Sequence, residues 1–203
     1  MLHQYAFFVS LGSGALLLLL AATTRASVAV AVYAASVSGL FGVSALYHRV
    51  TWTAPARRRM RRLDHAMIFL LIAGTYTPVG LLILQGTLAT TVLLVVWSGA
   101  VAGIVLELAW TRAPRWLGGV VYVALGWVAV VAMPQLFAQL GLAGGLLIVA
   151  GGLVYTAGAL VYALRRPDPA PSVFGYHEVF HLLVIIAAAA HFLAIGLFAV
   201  PIV

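Results

Sequence analysis

Two pentapeptides hold the residues best suited to chemistry, Ser44-Ala45-Leu46-Tyr47-His48 and His177-Glu178-Val179-Phe180-His181. Each pairs two polar side chains four positions apart, which on a helix puts them on one face, about 6 Å apart along the axis. Two histidines at i and i+4 make half of a zinc site, and an imidazole is costly in lipid unless something engages it. The pattern points to a metal site embedded in a membrane.

Composition agrees with that setting. The 203 residues are 65% hydrophobic and only 7% charged, against about 25% charged in a soluble domain. Without cysteine there is no disulfide, thiolate metal site or cysteine nucleophile. All eleven basic residues are arginine, which excludes a retinal Schiff base and any lysine nucleophile. The net charge of +7 does not imply nucleic acid, because the arginines group in links between apolar runs, where they orient a membrane protein. No cleavable signal peptide is expected, since Met1 to Tyr5 carry no basic stretch and lead straight into an apolar run.

Apolar runs of about 20 residues, enough to cross a bilayer, are expected seven times, at about 5–24, 27–48, 64–84, 88–109, 116–136, 141–164 and 176–200. Short links favour one up-and-down bundle, a single all-α domain over 1–203. Arg49, Arg57, Arg58, Arg59, Arg61, Arg62, Arg112, Arg115, Arg165 and Arg166 fall in the even-numbered links, and only Arg25 falls in an odd one. The positive-inside rule then places the N-terminus in the cytoplasm and the C-terminus outside. Gly144, Gly145, Gly151, Gly152 and Gly158 suit close helix packing. Pro78 is expected to kink its span, with threonine hydroxyls satisfying the freed carbonyls. Trp110 and Trp116 read as interfacial anchors.

On this topology His48, Asp64, His177 and His181 come from three spans to one depth, just inside the cytoplasmic face. Three imidazoles with one open position match a catalytic zinc site, where the metal brings the pKa of a water to roughly 7. Asp64 is placed to accept a hydrogen bond from that water or to act as general base. Ser44, one turn deeper than His48, is placed to bond the water, a substrate carbonyl or an oxyanion.

Duller readings stand beside these. The histidine pair could rest in the headgroup region, Asp64 could cap its helix, and Ser44 could bond back to its own helix. His65 points about 100° from Asp64 and His191 lies about 15 Å beyond His181, so neither joins the ligand set. His177 to His181 also satisfies H-E-x-x-H, in which Glu178 would be the base of a metalloprotease. Glu178 equally suits the helix dipole or a pairing with Arg165 or Arg166.

Ser44-x-x-x-His48, Asp64-His65 opening a helix that runs to Gly74-Thr75-Tyr76-Thr77-Pro78, and His177-x-x-Phe180-His181 occur in that order on the second, third and last spans. In this the chain resembles the hemolysin III branch of the progestin and adipoQ receptor family, within a superfamily of membrane hydrolases that includes the alkaline ceramidases. The resemblance covers essentially the whole chain. It implies a seven-helix fold with the N-terminus inside, in the plasma membrane of a bacterium. It also implies Zn2+ on His48, His177 and His181, with Asp64 on the metal's water and Ser44 beside it. The residue after the first histidine of the last motif varies in the family, so Glu178 is not expected to be catalytic. Without the long soluble N-terminal region of the eukaryotic receptors, a receptor role is not expected.

The leading expectation is a zinc-dependent hydrolase of a lipid amide or ester. The alternative is a membrane-perturbing or sensing protein with structural zinc, and a third is an inert zinc-stabilised scaffold. A pore would need polar stripes on several spans, whereas spans four to six are almost purely apolar.

Overall fold

The computed structural model describes residues 2–109 and 115–202, with the side chains of 115–117 and 202 excepted. Trp110 and Arg112 lie outside the described residues, as do the side chains of Arg115 and Trp116.

The apolar runs fold as helices because a backbone away from water must satisfy its N–H and C=O groups internally. In order they are α1 (Leu2–Leu20), α2 (Thr24–Arg49), α3 (Ala54–Pro78), α4 (Gly86–Ala109), α5 (Arg115–Gly126), α6 (Met133–Leu164) and α7 (Tyr176–Ala194). The described residues contain no strand beyond one isolated bridge, Ala170 to Phe174. Consecutive helices pack most extensively, α1 on α2, α2 on α3, α3 on α4 and α6 on α7, and α7 also touches α1. The outer faces are apolar: Leu19 is 84% exposed and Leu142 71%. Such surface is stable only against lipid.

Among the described residues, six segments are long and apolar enough to cross a membrane. One of them, Gly118–Leu164, has 47 residues, about 70 Å if straight and more than twice a bilayer's hydrocarbon thickness of about 30 Å. It is not straight. Gly141 has φ 66° and ψ −177°, a conformation open to glycine but not to L side chains. The Trp127 indole N–H reaches the Thr156 hydroxyl at 3.1 Å, so the segment folds back on itself. Pro134 merely occupies the first turn of α6, and the reversal belongs to Gly141.

Local chemistry sets the helix ends. Thr23 accepts the Ala26 N–H at 3.1 Å, an N-cap for α2, and the Trp52 indole N–H donates to the Leu46 carbonyl near its other end. Pro55 stands in the first turn of α3, at Ala54. The basic second link is therefore shorter than expected. Arg57, Arg58, Arg59, Arg61 and Arg62 lie on the opening turns of α3, not in a loop. Hydropathy detects only the part of a helix that enters lipid. Arg62 gives this extension a purpose, donating to the Leu108 carbonyl at the end of α4 at 3.2 Å.

Pro78 ends the α-ladder of α3, and the helix continues as a π turn over Val79–Ile83. Thr75 and Thr77 donate to the carbonyls of Leu71 and Ala73 at 2.8 and 2.9 Å. Among the α6 glycines, a Cβ at Gly144 would press on Phe198 and one at Gly151 would overlap the His191 ring. At Gly152 nothing lies within 4 Å, so close packing there is not realised.

Candidate metal centre

His48 ends α2, and His177 and His181 occupy the first turns of α7. Glu178 fixes that start: its Oε2 accepts the Gly175 N–H at 3.0 Å, the one half of a capping box that a glycine N-cap permits. The Asp168 carboxylate accepts the next amide, that of Tyr176, at 2.8 Å. With its carboxylate turned onto the backbone, Glu178 serves the helix terminus, one of the three uses open to it in the sequence.

The three imidazoles converge. One ligand nitrogen from each of His48, His177 and His181 lies within 4.8 Å of the others, and burial deepens in that order. Ring centroids are separated by 4.9 Å (His48–His177), 5.1 Å (His48–His181) and 4.5 Å (His177–His181). The Nε2 atoms of His48 and His177 are 3.3 Å apart. Two nitrogens at tetrahedral angles around zinc, each about 2.0–2.1 Å away, would be separated by about 3.3 Å. The remaining edges need at most a shift of roughly 1.5 Å, within reach of a side-chain rotation. The donor set fits a zinc ion with one position left open.

Ser44 is 2% exposed and lines the same cavity, of about 200 Å³, as the three histidines. The Asp64 carboxylate on α3 lies near enough to feel the Ser44 hydroxyl, whose hydrogen bond goes to His3. The structure thus brings together His48, His177, His181 and Ser44, with Asp64 adjoining through Ser44.

The other polar candidates are elsewhere. His65 pairs through Nδ1 with Glu107 Oε1 at 3.0 Å, tying α3 to α4, and its carbonyl accepts the Tyr122 hydroxyl at 3.1 Å. His191 bonds the Ile148 carbonyl at 3.2 Å beside Gly151.

Sequence reasoning passed over His3. It is 5% exposed, lines the cavity and lies 2.8 Å through Nδ1 from the Ser44 hydroxyl. Its ring stacks on His181 with centroids 3.8 Å apart and planes 8° from parallel. A lone histidine has no spacing pattern to reveal it. Depth was the available signal, because the arginine distribution puts the start of span one on the same side as His48.

Comparison with known proteins identifies the family of the chain. The chain is 34% identical over 113 residues to a protein named "Hemolysin-3 homolog" from Bacillus subtilis (strain 168), covering 56% of this chain and 53% of that one. It is 33% identical over 132 residues to "Hemolysin-3" from Bacillus cereus, covering 62% and 60% respectively. The alignments thus span a little over half the length of these curated relatives. The wider match runs over residues 1–192 to the family described as "Haemolysin-III related", and the chain belongs to that family.

Proposed function

We propose that the protein is a zinc-dependent hydrolase of an amide or ester bond in a membrane lipid. The observation that carries this is the three-histidine cluster, which fits zinc with a free position beside a serine and a carboxylate. A zinc ion held there supplies a Lewis acid and brings the pKa of a coordinated water to roughly 7. Asp64 accepts a proton and returns it to the leaving amine or alcohol, and its negative charge offsets the cation. Ser44 donates a hydrogen bond from its hydroxyl to the carbonyl oxygen as negative charge builds there, keeping its proton.

The cavity, at about 200 Å³, is smaller than the roughly 300–1,000 Å³ of a site enclosing a whole small molecule. It suits the reacting bond, while the acyl chain lies along the apolar exterior. His48, the most exposed of the three histidines, marks the side from which the bond enters.

The reading includes seven crossings with the N-terminus inside. The fold-back at Gly141 supports counting Gly118–Leu164 twice, and the arginine distribution supports the orientation. The membrane-perturbing alternative gains little, because the exposed positions of α4 include Leu94, Val101 and Val105, and those of α6 include Leu146, Leu153 and Leu160.

The test is zinc content together with hydrolysis of a panel of ceramides and other acyl lipids. Wild type should carry about one zinc per chain and His181→Ala close to none. Asp64→Asn should keep its zinc and lose about 10²–10⁴-fold in turnover. Wild type purified metal-free without chelators would remove the site. Stoichiometric zinc with no turnover on the whole panel would remove the hydrolase.

A further inference from the structure

His3 belongs to neither pentapeptide, yet it touches two of the residues they supply. Its Nδ1 lies 2.8 Å from Ser44 Oγ, and its ring is nearly parallel to that of His181. The T-shaped contact with Phe41, centroids 5.0 Å apart, limits the ring from a third side. Next to it, the Arg49 guanidinium donates to the Gln4 side chain, fastening the start of α1 to the end of α2.

The stack decides what His3 can be. A ligand nitrogen directs its lone pair within the ring plane, so two face-to-face imidazoles point their lone pairs along parallel lines rather than at one ion. His3 is therefore not a fourth ligand. Space filling is also a poor account. His3 Nε2 is buried without a hydrogen-bond partner, although the backbone of His181 lies close by. An unsatisfied buried polar atom costs about 1–3 kcal/mol, which leucine or phenylalanine would avoid in the same space.

We propose that His3 is a positioning residue of the metal centre, its ring holding the plane of the His181 ligand and its Nδ1 holding the Ser44 hydroxyl beside Asp64. The proposal rests on the metal-binding reading of the three histidines. A hydroxyl has one proton and two lone pairs. Without His3, Ser44 is free to turn back onto its own helix. Without the stack, the His181 ring is free to rotate, and its ordering must then be supplied on metal binding. Groups that orient metal ligands in this way are commonly worth 10–100-fold in metal affinity.

Two substitutions separate the contacts. His3→Phe keeps a flat ring against His181 and removes the bond to Ser44. His3→Asn keeps a polar atom near the Nδ1 position and removes the stack. Zinc affinity of the purified full chain, measured against a chromophoric chelator, should fall about 10-fold or more in His3→Asn and in His3→Ala. In His3→Phe it should stay within about threefold of wild type. The visible absorption bands of the cobalt-substituted protein should change in the first two variants and persist in the third. In melting experiments, Ser44→Ala should cost less in the His3→Phe background than in wild type, since their shared bond is already gone.

A merely space-filling His3 predicts lower melting temperatures with unchanged zinc affinity and cobalt bands. That result, in whichever of His3→Ala and His3→Asn folds, overturns the proposal and leaves the three-histidine site intact. Additive Ser44 and His3 effects overturn the hydrogen-bonding half. Wild type that takes up no zinc overturns both the site and the proposal.

Discussion

At the residue scale, the proposed metal site would depend on nitrogen atoms already held close in the fold. His48 and His177 present their Nε2 atoms 3.3 Å apart, so little reorganisation would oppose the proposed binding. Replacing His177 with glutamine keeps a polar side chain but removes the imidazole donor. His177→Gln should weaken zinc binding by at least about 100-fold in a chelator competition, because a neutral amide is a poor zinc ligand. The convergence of the three histidines was legible in the sequence because i,i+4 spacing on a helix is a geometric statement. The role of Glu178 was legible only as alternatives. H-E-x-x-H describes the same residues whether the carboxylate faces a metal or, as here, the amide of Gly175.

At the element scale, one departure from α geometry is held by a buried side chain. The α5 segment tightens into a 3₁₀ stretch at Trp127–Ala132. There the buried Tyr76 hydroxyl donates to the Gly126 carbonyl at 2.7 Å and accepts the Ala129 N–H at 2.6 Å. Tyr76→Phe strands both backbone groups and should destabilise the protein by about 1–3 kcal/mol, read as a lower melting temperature in detergent. Gly151→Ala tests a packing contact instead. Its methyl group would overlap the His191 ring, and overpacking of this kind costs about 1–3 kcal/mol. Gly152→Ala, with open space around it, should be close to neutral. Neither the π turn after Pro78 nor the 3₁₀ stretch was legible in the sequence. Hydropathy reports which residues face lipid and is blind to hydrogen-bond register, so it located apolar helices without resolving their internal geometry. It also placed the start of α3 too late, since the arginines that open the helix are polar.

At the scale of the whole molecule, the expected topology can be tested cleanly because the chain contains no cysteine. Single cysteines introduced in the Thr53 region and in the 165–175 link should be shielded from an impermeant thiol reagent added to intact cells. One introduced near Gln85 or Gly141 should be labelled. Labelling of Gln85 and the 165–175 link from the same side would contradict seven crossings. The all-helical class and the convergence on one end were legible from composition and the arginine pattern. The site of the reversal at Gly141, inside α6, was not legible, because Gly141 is one glycine in an apolar run and its backbone dihedrals leave no trace in hydropathy.

His48 and His177 are 129 positions apart in the chain. An ion shared between them acts as a cross-link that closes a loop of that size, with α3 to α6 inside it. For a free chain, closing such a loop is worth on the order of 4–5 kcal/mol of unfolded-state entropy. A bilayer that already confines the helices reduces the figure. Loading the site should therefore slow backbone hydrogen exchange along α2 and α7 far beyond the ligands, and chelation should release both helices together.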